Sequence, residues 1–333
     1  MSVPVFVTVD TEEDNWGDYA CRRPTVTNLR RLPTLQDMCQ RHGAIPTYLV
    51  NWPAVTNPDG RAILRELVLQ GGSEIGAHCH PWNTPPVSED IGPRNSLLSN
   101  LAGGLVAAKL ATLHRAIGES LAVEPVTFRA GRWGLGPEVT SALAQLGYRV
   151  DTSVTPFIDW SAEAGPDFSR APSWAYRFDP VAPLIPTNSG SMMEIPATVG
   201  FWQANQARAA RWDRWARTRA PRSLHAVGLL DRLGAVNRRW LSPEVSRAGD
   251  MIRLARRLVE VGISHLNVSF HSVTLEPGRT PFVRTDADRV RFLGELETFL
   301  AFAREAGFRF SPLSSGPALL RSAEGPNREM AAP

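Results

Sequence analysis

Seven histidines are scattered through the chain, and two of them, His78 and His80, lie two residues apart in Glu74-Ile75-Gly76-Ala77-His78-Cys79-His80-Pro81-Trp82. Side chains alternate along an extended strand, so both imidazoles would face one side and Cys79 the other. The pair could then share a divalent metal while the thiol packs inward as a small hydrophobe; two hydrogen-bonded loop histidines would give the same letters. Val7-Thr8-Val9-Asp10-Thr11-Glu12-Glu13-Asp14 supplies complementary groups. By the same period Asp10 and Glu12 share one face and Thr11 and Glu13 the other, as long as the strand stays extended. Such a pair offers one carboxylate as a ligand beside two histidines and one as a base, a ligand set that leaves positions open for water and substrate. An acidic loop capping the next helix is the plainer alternative.

Three further polar residues end apolar runs. Phe128-Arg129-Ala130-Gly131-Arg132-Trp133 carries Arg129, whose guanidinium could orient a carboxylate through a bidentate pair, whereas Arg132 is expected in a structural salt bridge. Asn267-Val268-Ser269-Phe270-His271-Ser272 alternates as a strand and ends on His271, which could protonate a leaving group or sit as a satisfied structural residue. Asp151, in Asp151-Thr152-Ser153-Val154, either orients a catalytic group or starts a turn. A core strand has no structural need for any of these, and each costs several kcal/mol if buried unpaired.

Apolar, β-branched runs predict the strands that would hold these residues: Val3–Asp10, Ile45–Val50, Glu74–His80, Val126–Ala130, Tyr148–Asp151, Met193–Ala197, His265–His271 and Phe308–Phe310. Between them helical spacing predicts Thr34–Arg41, Gly60–Leu69, Leu97–Leu121, Pro137–Leu146, Arg247–Val261 and Ala287–Ala306, several followed by a glycine (Gly43, Gly71, Gly147, Gly262, Gly307). Repeated βα units mean an α/β protein with a mainly parallel sheet, barrel or doubly wound, whose strand ends gather the chemistry. With 333 residues, 43% of them hydrophobic, and a net charge of +3, the chain can bury one large core; disorder, collagen and coiled coil are excluded as descriptions of the whole. No stretch approaches the length of a membrane span, and Val3–Val9 lacks the basic flank of a signal peptide. Cys21, Cys39 and Cys79 are odd in number without CxxC spacing, so neither a disulfide framework nor a zinc ribbon follows. Among 36 basic residues only Lys109 is a lysine, an arginine bias that reads as genome composition rather than nucleic-acid binding. Gly131-Arg132-Trp133-Gly134-Leu135-Gly136 lacks the order of a dinucleotide loop.

Taken in order, these blocks resemble the polysaccharide deacetylases of the NodB-homology type, carbohydrate esterase family 4, in a divergent branch. That family has an acidic pair after the first strand, a histidine pair after the third, an arginine block, an aspartate block and a late hydrophobic-x-His block. Here stand Asp10/Glu12, His78/His80, Phe128-Arg129-Ala130, Asp151-Thr152-Ser153-Val154 and Phe270-His271-Ser272, across roughly residues 3–310. Three departures are visible: Asp-Asp is Asp10-Thr11-Glu12, H-x-x-x-H is H-x-H, and Arg-x-Pro-Tyr is Arg129-Ala130-Gly131-Arg132.

The resemblance implies a distorted (β/α) barrel of about seven parallel strands as one catalytic domain over 1–320; the sequence itself adds a helical insertion near 201–245 and a disordered tail over 321–333. It implies a metal-dependent hydrolase removing an acetyl group from an acetamido sugar or glycan. Glu12, His78 and His80 would hold a divalent ion, Zn²⁺ first and Co²⁺ or Ni²⁺ as alternatives. Asp10 would be the base, Arg129 its partner and His271 the acid, with Trp82, Trp133 and Asp151 facing the sugar. A role in surface polysaccharide or lipopolysaccharide assembly in the cytoplasm is the expected setting. An amidohydrolase acting on a non-sugar amide, or a carbohydrate-binding protein without metal, are the alternatives.

Residues 201–240 have no counterpart in that pattern. They hold nine arginines against Asp213 and Asp231, and four of the ten tryptophans. Arg208, Arg211 and Arg214 with Trp212 and Trp215 form a basic, aromatic helical stretch that could lie on an anionic membrane surface, cover the sugar cleft, or pack as a plain helical hairpin.

Overall fold

The computed structural model describes residues 2–21, 23–218 and 225–320. The expected tail, 321–333, and the centre of the insertion, 219–224, lie outside the described residues. The strands are β1 (Pro4–Thr11), β2 (Pro46–Val50), β3 (Glu74–Cys79), β4 (Thr127–Ala130), β5 (Val150–Asp151), β6 (Tyr176–Phe178), β7 (Met192–Glu194), β8 (Val199–Phe201), β9 (Arg238–Trp240), β10 (Leu266–His271) and β11 (Arg309–Phe310). The helices are α1 (Leu32–Arg41), α2 (Trp52–Thr56), α3 (Pro58–Gln70), α4 (Gly103–Leu121), α5 (Pro137–Gln145), α6 (Gln206–Ala216), α7 (Ala226–Arg232), α8 (Ala248–Glu260), α9 (Asp286–Glu305) and α10 (Gly316–Leu319).

All eight expected strands form within a few residues of their anticipated bounds, and so do five of the six expected helices; the remaining one begins at Gly103 rather than Leu97, Leu98–Asn100 forming a separate short turn. Every residue of β1 is buried, because a central parallel strand is covered on both faces and needs an apolar run rather than alternation. Local chemistry sets helix starts: the Asn57 side chain accepts from the Asp59 and Gly60 amides ahead of α3, and Thr285 and Asp288 form a reciprocal capping box on α9.

The sheet runs β10-β1-β2-β3-β4-β5-β7-β6, parallel except for β6, with β11 beside the start of β1. It curls into a half-barrel. The space between β7 and β10 is crossed by extended chain: the Thr198 amide donates to Asn267 O at 3.2 Å, and Ser269 N to Leu241 O at 3.2 Å. Inside the curl the fully buried Asn267 side chain joins Thr8 Oγ1 at 2.9 Å to Thr152 Oγ1 at 2.8 Å.

Register decides what meets at the sheet's carboxyl end. Asp10 stands beside His271 across the β1/β10 ladder, and His78 beside Arg129 across β3/β4. The insertion differs from expectation in one respect: it begins and ends in strands, β8 and β9 pairing antiparallel, with α6 and α7 between them.

Candidate functional site

At the carboxyl end of the strands lies a cavity of about 470 Å³ whose floor carries Asp10, Glu12, Glu13, His78, His80, Glu244 and His271. Its walls are aromatic, with Trp16, Tyr19, Trp82, Trp133, Trp160, Trp240 and Phe282 from seven separate positions of the chain.

Glu12, His78 and His80 are buried and turn one ligand atom each toward a common point. The Glu12 Oε2 atom is 3.4 Å from His78 Nε2 and 3.2 Å from His80 Nε2, and the two Nε2 atoms are 2.9 Å apart. Each ring's other nitrogen is committed elsewhere: His78 Nδ1 lies 3.0 Å from the Arg129 carbonyl and His80 Nδ1 3.3 Å from Glu13 Oε1. A proton on each Nδ1 leaves two Nε2 lone pairs and a carboxylate oxygen facing one another. That arrangement is repulsive unless a cation or proton lies among them, so the donor set fits a divalent metal. Burial works against charge on His80, yet Glu13 and Glu12 push its pKa up to about 9.

The spacing argument placed Glu13 on the opposite face from Glu12, and the structure corrects it. The strand ends at Thr11, the backbone turns, and both glutamates reach the histidine pair. Asp14 holds that turn, accepting from the Thr27 amide at 2.7 Å, the Thr25 hydroxyl at 2.7 Å and the Asn28 amide at 3.0 Å. Glu13 also accepts from Trp82 Nε1 at 3.3 Å and from the Asn51 side-chain amide at the end of β2.

Asp10 and His271 form a second group 3.7 Å apart, between His271 Nε2 and Asp10 Oδ2. Arg129 donates to Asp10 Oδ1 from Nη1 at 2.6 Å; the pair is single, since Nη2 is spent on Thr8 Oγ1 at 2.7 Å and Nε on Thr152 O at 3.0 Å. Burial alone would raise the Asp10 carboxyl, but Arg129 and the nearby histidines bring it below its ordinary value. On the other side of His271, Nδ1 is 3.1 Å from both oxygens of Glu244. Burial opposes the imidazolium, while Glu244, Glu12 and Asp10 together push its pKa up to about 10. Sequence reasoning missed Glu244 because it lies in a stretch, Ser242-Pro243-Glu244, with no motif around it. A carboxylate is fixed there by the Thr274 hydroxyl at 2.6 Å and the His271 amide at 3.0 Å.

Trp82 and Trp133 line the cavity as expected positions for a substrate wall. Trp82 stacks on His80 with centroids 4.1 Å apart at 22°, and Trp133 lies 5.6 Å from Trp240, a residue of β9. The backbone after β4 is strained here, with positive φ at both Arg132 (53°) and Trp133 (60°). Gly131 just before them has no room for a Cβ, which would strike the His80 ring and the Cys79 carbonyl.

Two expectations are corrected. Asp151 does not reach the cavity: it is fully buried beside Glu194, its partner across β5/β7, and accepts from the Ser153 amide and hydroxyl at 2.9 Å. Burial first, and then Asp151, hold the Glu194 carboxyl well above its usual range, and the pair belongs to the buried frame rather than to the cavity. Arg132 makes no salt bridge among the described residues. It donates to Pro93 O at 3.0 Å and lies over the Tyr19 ring at 5.2 Å, a contact that sequence spacing cannot foresee.

No family profile and no curated protein matches the chain. Among solved structures, one assigned as a polysaccharide deacetylase from Mycobacterium smegmatis aligns at 16% identity and a TM-score of 0.54, over 95% of this chain and 89% of that one. That likeness establishes the fold. A family 4 acetyl xylan esterase from Clostridium thermocellum, solved with cobalt, aligns at 14% identity and a TM-score of 0.45 over 97% and 94% of the two chains. A family 4 pseudoenzyme from Bacillus anthracis aligns at 11% identity and 0.45 over 96% and 66%. At those scores neither decides between activity and its loss.

The Glu13 contact can be tested directly. Replacing Glu13 by Gln keeps its volume but removes the anion behind His80, and we expect Zn²⁺ affinity to fall about 10–100-fold, measured by competition with a chromophoric chelator; unchanged affinity would detach Glu13 from the metal set.

Proposed function

We propose that the protein is a metal-dependent deacetylase of the carbohydrate esterase family 4 type, removing an N-acetyl group from an acetamido sugar or glycan precursor. The observation that carries this reading is the pairing of two oppositely tuned proton carriers, Asp10 and His271, across a Glu12/His78/His80 ligand set in one cavity.

A divalent ion held by Glu12, His78 and His80 would polarise the acyl carbonyl and acidify a water. Asp10, kept ionised by Arg129, takes the proton from the attacking water. His271, kept charged by Glu244 and presenting Nε2 to the cavity, gives its proton to the departing amine. Holding one group low and the other high lets base and acid coexist at neutral pH. The aromatic rings around the cavity suit the apolar faces of a pyranose ring, and its volume suits one or two sugar units.

The setting follows from the insertion. On α6 the positions Arg208, Arg211, Trp212 and Trp215 form one outward stripe, with Trp212 47% and Trp215 51% exposed. Asp213 and Asp231 are both consumed by arginines, Asp213 by Arg217 and Arg238 and Asp231 by Arg239. A positive, aromatic face of this kind fits an anionic bilayer from which a lipid-linked precursor in surface-polysaccharide or lipopolysaccharide assembly would be drawn, on the cytoplasmic side.

Three outcomes are expected. Zn²⁺- or Co²⁺-loaded protein should release acetate from acetamido sugars, followed by an enzymatic acetate assay, and Asp10→Asn should lower kcat by about 10²–10⁴-fold, the usual contribution of a general base; full metal loading with no acetate from any sugar would shift the reading to another amide. In Glu244→Gln the imidazolium loses its anionic partner, so the alkaline limb of kcat/KM should move to lower pH, read from a pH–rate profile; an unmoved limb would remove His271 as the acid. The protein should float with phosphatidylglycerol vesicles and not with phosphatidylcholine vesicles, and Trp212→Ala/Trp215→Ala should abolish flotation.

A further inference from the structure

We infer that Lys109 is a positioning residue that clamps the Pro81–Glu89 loop and so sets the plate of Trp82 against His80, in a shell that an ammonium fits and a guanidinium does not. The inference rests on His80 being a metal ligand, as read above.

Of the 36 basic residues in the chain, 35 are arginine and one is lysine. A composition that favours arginine this strongly makes the single exception informative. Lys109 lies on α4 and is fully buried. Its Nζ donates to the carbonyls of Pro81 at 2.8 Å, Thr84 at 2.9 Å and Pro86 at 2.7 Å, and is 2.8 Å from Glu89 Oε1. Four oxygens thus surround one nitrogen at nearly equal distances. An ammonium is a compact charge whose three N–H donors match the three carbonyls, with the Glu89 carboxylate set against the charge. A guanidinium spreads five donors in a plane and carries its charge further from the stem, so the same shell cannot accept it.

The loop needs an outside donor. Pro81, Pro85 and Pro86 have no N–H, so the segment has few backbone donors with which to satisfy its own carbonyls. Pro81 directly follows His80, and the Thr84 amide returns to the His80 carbonyl at 3.1 Å. Trp82, between two clamped carbonyls, stacks on the His80 ring and donates to Glu13, the same carboxylate that meets His80 Nδ1. The clamp therefore reaches a ligand along two routes, the Trp82 plate and the backbone of Pro81 and Thr84, without touching the cavity itself.

The test is a double-mutant cycle on Zn²⁺ affinity, read by chelator competition. Lys109→Arg, although it keeps the charge, should weaken Zn²⁺ about tenfold or more, and Lys109→Met should do the same. In a Trp82→Ala background Lys109→Arg should cause a clearly smaller loss, because the part of its effect that runs through the plate is gone, whereas its effect on melting temperature should be the same in both backgrounds. Equal Zn²⁺ affinity of wild type and Lys109→Arg, or an undiminished loss in the Trp82→Ala background, would overturn the inference while leaving the metal site standing. A wild type that binds no Zn²⁺ would overturn the site reading and this inference with it. Should the Lys109 variants not fold, the wild type still decides: an amine-acylating reagent under native conditions should leave Lys109 unmodified, and acylation at the rate of a free amine would overturn the clamp.

Discussion

The ion pair between Arg129 and Asp10 is the constraint around which the carboxyl end of this sheet is arranged. Arg129 is the largest of the fully buried side chains, and a guanidinium withdrawn from water is costly unless every donor finds an oxygen. The half-barrel supplies them from two strands: Asp10 and Thr8 on β1 and Thr152 just after β5. Asn267, on β10, bonds both threonines and so closes the ring. A polar layer thus fills the curl of the sheet where an ordinary core would place Val and Leu. Such a layer is tolerated because it is satisfied throughout, and it makes the carboxyl ends of β1, β4 and β10 a rigid unit.

On that unit, electrostatics divide the labour. Asp10 feels a guanidinium and is kept ionised; His271 feels Glu244, Glu12 and Asp10 and is kept protonated. The two groups are 3.7 Å apart, so each also reinforces the other's charge. Removing either outer partner would therefore disturb both carriers, and the four residues are better regarded as one chain, Arg129–Asp10–His271–Glu244, than as two pairs. The Glu12/His78/His80 cluster stands beside this chain with its own outer partner, Glu13, which meets His80 as Glu244 meets His271.

What could be seen in the sequence follows from geometry. Asp10, Glu12, His78, His80, Arg129 and His271 were legible because each ends an apolar run, and a parallel sheet brings such ends together whatever lies between. Glu13 was not, because period-two reasoning holds only while the strand lasts and β1 stops at Thr11, where Asp14 turns the chain. Glu244 was not, because its carboxylate is fixed by Thr274 and the His271 amide, residues that nothing in the sequence ties to it. Asp151 misled because an acid at a strand end normally faces the site, whereas β5 is two residues long and its aspartate turns to Glu194. The hairpin β8–β9 escaped notice since its strands are three residues each and one of them reads Arg238-Arg239-Trp240.

That hairpin also explains how an arginine-rich insertion can belong to the site. Trp240 leaves β9 to meet Trp133 at the cavity wall, while Arg238 on the same strand bonds the Phe157 carbonyl at 2.6 Å and pairs with Asp213 of α6. Trp202, just after β8, is held between Arg239 at 4.3 Å and Arg253 of α8 at 4.1 Å. Flat guanidinium groups stacked on indole rings do here what an aliphatic core does elsewhere, joining the insertion to α8 through charge and ring faces. Arginine supplies that stacking readily and lysine does not, so the bias of the composition has become part of the architecture. At the clamp over the Pro81–Glu89 loop the requirement is reversed, and there the chain has its lysine.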